Sequence, residues 1–164
     1  MKKKIKLYKN YEEALEALRK QKSEILGLSG KVAKAGNSNL YPLDQLVISA
    51  LHRSLYLTAG FIDLIESQNY MCAIHLVRLN LDSTIRISAA WRVEDPEEFS
   101  LKVLQGKDVR KIVDQNHKKM TDNYLMKELS KKHHWIENLY KETSGLIHFS
   151  SKHIFSTFRV ENEK

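Results

Sequence analysis

The chain has 164 residues, 42% of them hydrophobic and 29% charged, with a formal charge of +7. That length suits one domain with a core of useful size. No run approaches the roughly 18–20 apolar residues that span a bilayer, and a single cysteine, Cys72, excludes an internal disulfide framework and a cysteine-based zinc site.

Only two prolines and six glycines are present, which favours long helices over a turn-rich β architecture. The basic start MKKKIKLYKNYEEALEAL has no uncharged apolar stretch after it and does not read as a secretory signal. The expected location is therefore the cytoplasm. The positive charge permits nucleic-acid binding without establishing it, because much of the excess is scattered lysine.

Asn10 followed by Glu13 resembles a capping box and opens the first helix. Tyr11, Ala14, Leu15, Leu18, Ile25 and Leu28 recur at helical spacing, with Glu12, Glu16, Arg19 and Lys20 on the other face. This helix is expected to end near Leu28. Residues 29–39, SGKVAKAGNSN, hold two glycines and small polar side chains and are expected to form a mobile loop.

Pro42 fits the first turn of a second helix. It runs to about Ser67 along a broad apolar face, and Gly60 marks close packing against a neighbour. A third helix is expected over residues 69–91. It is apolar around most of its circumference, which predicts the central and most buried position; Cys72, in that apolar context, is expected to be buried packing.

Asp95 caps a fourth helix that starts at Pro96 and stops before Gly106. Residues 107–120 read equally as a short helix or a loop. Thr121 caps the next helix, whose apolar face (Leu125, Leu129, Trp135, Ile136, Leu139, Tyr140) continues toward Ile147 with a bend near His133. The chain thus reads as all-α: four or five helices in one bundle, a single helical domain over residues 1–158, and a frayed tail over 159–164.

Within the third helix, HLVRLNLDSTIRISAAW places Arg78, Asp82 and Arg86 four residues apart, with His75 beside them. On a helix these form one gently drifting stripe, and Asp82 can accept bonds from either arginine. Two readings stand: a self-satisfied ladder facing water or an interface, or two guanidiniums held by one carboxylate and presented to a phosphate or carboxylate. A second stretch, YKETSGLIHFSSKHIF, sets Tyr140, Ser144 and His148 on one helical face, with Ser150, Ser151 and His153 close behind. No H-E-x-x-H, P-loop, G-x-G-x-x-G or G-x-S-x-G occurs, and neither metal nor cofactor is expected.

The pairing of RLNLDSTIR with YKETSGLIHFSSKH, over residues 70–155, resembles a group of small bacterial helical proteins that look distantly like the HEPN superfamily (higher eukaryotes and prokaryotes nucleotide-binding). The resemblance implies a helical bundle, often dimeric; active members of that superfamily are metal-independent ribonucleases. Their motif is an arginine and a histidine separated by four to six residues. Arg110 and His117 in RKIVDQNH have that spacing, whereas no arginine stands at that distance before His148.

The leading expectation is a homodimeric, HEPN-like bundle whose polar site combines Arg78, Asp82, Arg86, Tyr140, Ser144 and Ser150 with His148. It would bind an anionic ligand such as RNA or a nucleotide. The alternatives are an endoribonuclease, with His148 as acid or base at the ribose 2′-hydroxyl, and a structural partner protein. The homodimer is expected because Trp91, Trp135, Phe149, Phe155 and Phe158 are too many for one core of this size to hide.

Overall fold

The computed structural model describes residues 8–36 and 39–147. Six α-helices follow one another: α1 (Tyr11–Ala35), α2 (Pro42–Glu66), α3 (Tyr70–Ile87), α4 (Pro96–Leu104), α5 (Asp122–Ser130) and α6 (Trp135–Ile147), with 3-10 turns at Ser88–Trp91 and Val109–Lys111. Among the described residues the chain is all-α; an isolated antiparallel bridge, Val113 to Lys119, is the only β pairing there. Among the described residues the helix number is therefore six rather than four or five. The tail 159–164 lies outside the described residues.

Local caps start the helices where short-range chemistry dictates. The Asn10 side chain accepts from the Glu13 amide at 2.9 Å, and the Glu13 carboxylate accepts from the Lys9 amide at 2.9 Å. Asp95 accepts from the amides of both Glu97 and Glu98, at 2.9 and 3.0 Å, and Thr121 accepts from Tyr124 at 3.3 Å. These bonds satisfy amides that the first turn leaves without helical partners. Pro42 opens α2, where the Leu43 amide donates to the Glu97 carboxylate at 2.9 Å and ties this end to α4.

The first helix corrects the expected boundary. It continues through Gly27 and Gly30 to Ala35, so much of the expected loop at 29–39 is helical. A helical glycine costs about 1 kcal/mol relative to alanine but does not by itself break a helix, and the side chains after Gly30 (Lys31, Val32, Ala33, Lys34, Ala35) can continue it. The Ser29 hydroxyl donates back to the Ile25 carbonyl at 3.2 Å instead of opening a turn. The chain turns at Gly36, where a Cβ would stand 2.5 Å from the Asn39 carbonyl oxygen.

In the packing, α1 lies on α2, α2 on α3 and α4, and α3 on α5 and α6. Gly60 of α2 meets α3 closely: a Cβ there would be 3.1 Å from Leu76 Cδ1. The main core gathers Leu81, Ile85, Ala89, Ala90, Phe99, Ile112, Met120, Leu125, Met126 and Ile136. Its centre is the C-terminal half of α3 and the following turn. Ala73, Arg78, Leu81 and Ile85 of α3, with Ser88, Ala89 and Ala90 after it, are buried, against Leu15 and Ser29 in α1. The expected central position of residues 69–91 is observed.

Cys72 is a correction: it is exposed. It stands on the opposite side of α3 from the stripe that carries Leu81 and Ile85, since each residue turns the helix by about 100°. Residues 107–120 contain the Val109–Lys111 turn followed by an extended loop. That loop is organised by the buried Asp114, whose Oδ1 accepts from the amides of Asn116 and Lys118, both at 2.9 Å, while the Tyr124 hydroxyl donates to Oδ2 at 2.5 Å. The bend expected near His133 is a full break, since α5 ends at Ser130 and α6 starts at Trp135.

Candidate functional site

The stripe on α3 divides into two separate places. Four residues advance a helix by about 400°, so each step of the stripe rotates about 40° further round the axis. Arg78 lies near the buried side, and Arg86 lies well round toward solvent.

Arg78 is 9% exposed and reaches across to α6. Its Nε donates to Asp82 Oδ1 at 3.0 Å, and its Nη1 donates to the Tyr140 carbonyl at 3.1 Å and to Ser144 Oγ at 2.5 Å. The guanidinium carbon sits 3.7 Å from the centre of the Tyr140 ring. Ser144 Oγ in turn donates to the Tyr140 carbonyl at 2.6 Å. Of the expected site residues, Arg78, Asp82, Tyr140 and Ser144 therefore meet. They do so as a stitch between α3 and α6, with Nε and Nη1 of the arginine directed to protein acceptors. His75 Nδ1, on the same helix, is buried and has no hydrogen-bond partner among the described residues. His148 and Ser150 lie outside the described residues, as do Ser151 and His153.

Arg86 is held by a different carboxylate from the one expected. Its Nε and Nη2 donate to the two oxygens of Asp122 on α5, both at 3.1 Å. Among the described residues Asp82 forms its ion pair with Arg78. The Asp122 hydrogen bond raises the Arg86 pKa above the usual arginine range; partial burial opposes this, and the charges of Asp122, Asp82 and Asp108 add to it. Arg86 also shares the lining of one cleft with Asp108, in the loop that follows α4.

That loop and Arg86 border a cleft of about 480 Å³. Leu46, Ser49, Ala50 and Arg53 of α2 form one wall, Ser83, Arg86 and Ile87 of α3 a second, and Phe99 and Val103 of α4 a third. Lys107, Asp108, Val109 and Arg110 complete it. Four cations from three segments face one concavity, and Asp108 is the carboxylate among its described walls. Gly106, at φ +89°, turns the chain so that Lys107 follows directly out of α4.

The three arginines are oriented by protein acceptors, and two of the four cations keep no ion-pair partner among the described residues. Arg53 Nε donates to Ser83 Oγ at 2.8 Å, and neither Arg53 nor Lys107 has an ion-pair partner among the described residues. Arg110 pairs with Asp108 through Nη2, at 3.2 Å. The Arg110 amide, first, and then its side chain hold the Asp108 carboxyl below the usual range. Arg86 and Arg110 are thus fixed through the Nε–Nη2 edge and Arg53 through Nε, which leaves terminal N–H groups of each guanidinium for bonds to an oxyanion.

No protein-family model, curated protein or solved structure matches the chain. What the site can do must then follow from its own chemistry.

A second hollow, about 330 Å³, lies between α1, α2, α3 and α6. Its walls include Leu18, Leu57, Phe61, Leu76 and Trp135, with Thr58, Asn80 and Thr84 as the polar side chains and no ionisable one among the described residues, so it offers no countercharge to an anion. His117, at φ 58°, belongs to the turn of the Val113–Lys119 loop and does not line the Arg86 cleft, so Arg110 and His117 are not joined there. No cluster of three or more His, Cys, Asp or Glu side chains able to hold a metal ion occurs among the described residues. Among those residues no helix is long and apolar enough to cross a membrane.

Sequence reading did not single out Arg53, Lys107, Arg110 as a cleft residue, or Asp122. Arg53 alone carried a signal: it shares one face of α2 with Leu46 and Ala50 at helical spacing, a charge on an otherwise apolar or small-residue face.

Proposed function

We propose that this protein is a HEPN-like, cytoplasmic, homodimeric helical bundle that binds a phosphate-bearing ligand, RNA or a nucleotide, in the cleft around Arg86. The observation that carries this reading is the convergence of Arg53, Arg86, Lys107 and Arg110 on one concavity with Asp108 as the described acidic wall residue. The ligand site is thereby centred on Arg86 rather than on Arg78, whose Nε is taken by Asp82 and whose Nη1 is taken by Tyr140 and Ser144 of α6. The clasp of R-x-x-x-D on α3 by Y-x-x-x-S on α6 supports the HEPN-like comparison, since both stretches of the resemblance meet in it. Trp91, 74% exposed, and Trp135, 47% exposed, support a dimer, because large apolar side chains in water favour an interface.

The test is single-stranded RNA binding at one fixed salt concentration. Arg53→Ala and Arg86→Ala should each weaken binding about tenfold, the loss of roughly one charged hydrogen-bonding group, and should reduce its salt dependence. Lys20→Ala makes the same charge change outside the cleft and should have little effect. Wild-type affinity in both arginine variants would refute the cleft reading. Sedimentation at micromolar concentration tests the dimer, and a species near 19.1 kDa would refute it.

A further inference from the structure

We infer that the group recognised in the Arg86 cleft is a phosphomonoester, a terminal phosphate carrying up to two charges, with the body of the ligand against the apolar walls. The inference rests on the proposed anion-binding reading and narrows it to one chemical class.

Charge balance is the first ground. A phosphodiester carries one negative charge, and a chain of them is matched by cations strung along a groove at the spacing of the backbone. Here the cations converge from α2, α3 and the loop after α4 around one cavity. Asp108 offsets Arg110, and Asp122 offsets Arg86 from outside the lining, which leaves Arg53 and Lys107 without an ion-pair partner among the described residues. A dianionic phosphate with its three terminal oxygens uses that excess better than a monoanion with two.

Donor geometry is the second ground. Arg53 is anchored through Nε alone, so both of its terminal nitrogens remain for a forked pair of bonds. Arg86 and Arg110 are each anchored through Nε and Nη2, so each retains Nη1. Such anchoring lowers the ordering cost when an oxyanion arrives.

The walls are the third ground. Leu46, Ala50, Ile87, Val103 and Val109 offer no hydrogen-bonding side chain. They can cover the body of a small ligand, or the last nucleoside of a strand, without reading the edge of its base. The volume lies within the range usual for small-ligand sites. Recognition then falls on the terminal phosphate: among the uncharged side chains of the described walls Ser49 and Ser83 carry hydroxyls, and Ser83 Oγ is already engaged by Arg53 and the Leu79 carbonyl.

A terminal phosphate can come from an RNA end or from a free mononucleotide, and one experiment separates them. Fluorescence anisotropy would compare one labelled oligoribonucleotide bearing a 5′-phosphate, a 5′-methyl phosphate or a 5′-hydroxyl. The same oligoribonucleotide with a 3′-phosphate would also be compared, with adenosine or uridine monophosphate as competitor. The expected result is about tenfold tighter binding of a phosphorylated end than of its methyl-capped or hydroxyl form. That preference should vanish in Arg53→Ala and Arg86→Ala. Competition by either mononucleotide at comparable concentration assigns the site to free nucleotides; preference for a phosphorylated strand without such competition assigns it to RNA ends. Equal binding of all end forms, still dependent on Arg53 and Arg86, would overturn the monoester inference and leave the anion-binding reading standing. Binding of every probe that ignores both arginines would overturn both.

Discussion

Arg78 and Arg86 look equivalent in the sequence, and the structure makes them respond differently to the same change. Replacing Arg78 with Met keeps a long stem but removes bonds to Asp82, the Tyr140 carbonyl and Ser144, together with the guanidinium stacked 3.7 Å over the Tyr140 ring. A hydrogen bond to a charged group contributes about 1.5–3 kcal/mol and a cation–π contact about 0.5–2 kcal/mol, and these do not add. Two effects offset the loss: the methionine buries more apolar surface, and Asp82, whose side chain is 28% exposed, can recover water. The net expectation for Arg78→Met is a destabilisation of about 2–4 kcal/mol, equivalent to a fall of about 5–15 °C in thermal midpoint for a chain of this size. Arg86→Met breaks a pair whose arginine side chain is 46% exposed, and should cost less than about 1 kcal/mol.

Urea and thermal unfolding followed by circular dichroism at neutral pH measure both. Adding Asp82→Leu to Arg78→Met removes the orphaned carboxylate, so the double variant should be less destabilised than the sum of the singles by about 1 kcal/mol or more. Equal, small effects at positions 78 and 86 would refute the assignment of Arg78 to a buried stitch, and with it the division of the stripe.

Two further outcomes test the loop that borders the cleft. Burial pushes the Asp114 carboxyl up, but the Tyr124 hydroxyl, the Lys118 and Asn116 amides and the Lys118 charge outweigh it and hold it below the ordinary range. A depressed folded-state value contributes stability that is present above the unfolded value and lost as pH falls through the folded one, so the window lies below about pH 4. Asp114→Asn should lower the urea midpoint at neutral pH and flatten its decline in that acid window; an unchanged acid slope would rule the carboxylate out as its source. Gly106→Ala puts a Cβ in open space but at φ +89°, so a cost of about 1 kcal/mol in urea unfolding is expected from backbone strain alone. No loss there would mean that the turn before Lys107 relaxes freely.

How much of this was legible beforehand depends on the distance over which each feature is decided. Asn10, Pro42, Asp95, Thr121 and Gly106 act within a turn of their own position, and the helix starts and the end of α4 follow from them. The apolar circumference of residues 69–91 also sufficed to place α3 at the centre, since a helix with so narrow a polar face must be surrounded. Local signals misled where packing decided. The glycines after Leu28 suggested a loop, but the helix continues to Ala35, with Ser29 bonded back to Ile25. Cys72 was judged by its apolar neighbours in sequence, while its exposure depends on which side of α3 meets the bundle.

The candidate site shows the same division most clearly. Sequence spacing by itself determined that Arg78 and Asp82 are within reach of one another, that Tyr140 and Ser144 share a face, and that the chain is helical with an excess of positive charge. Only the tertiary structure decided that Tyr140 and Ser144 lie against Arg78, that Arg86 turns to an aspartate 36 residues further along, and that Arg53, Lys107 and Arg110 join it around one cleft. The physical reason is that a helix sets the angle between its own side chains through hydrogen bonds four residues apart. Which of those angles faces protein, a cleft or water depends on how helices distant in sequence bury their apolar faces against each other.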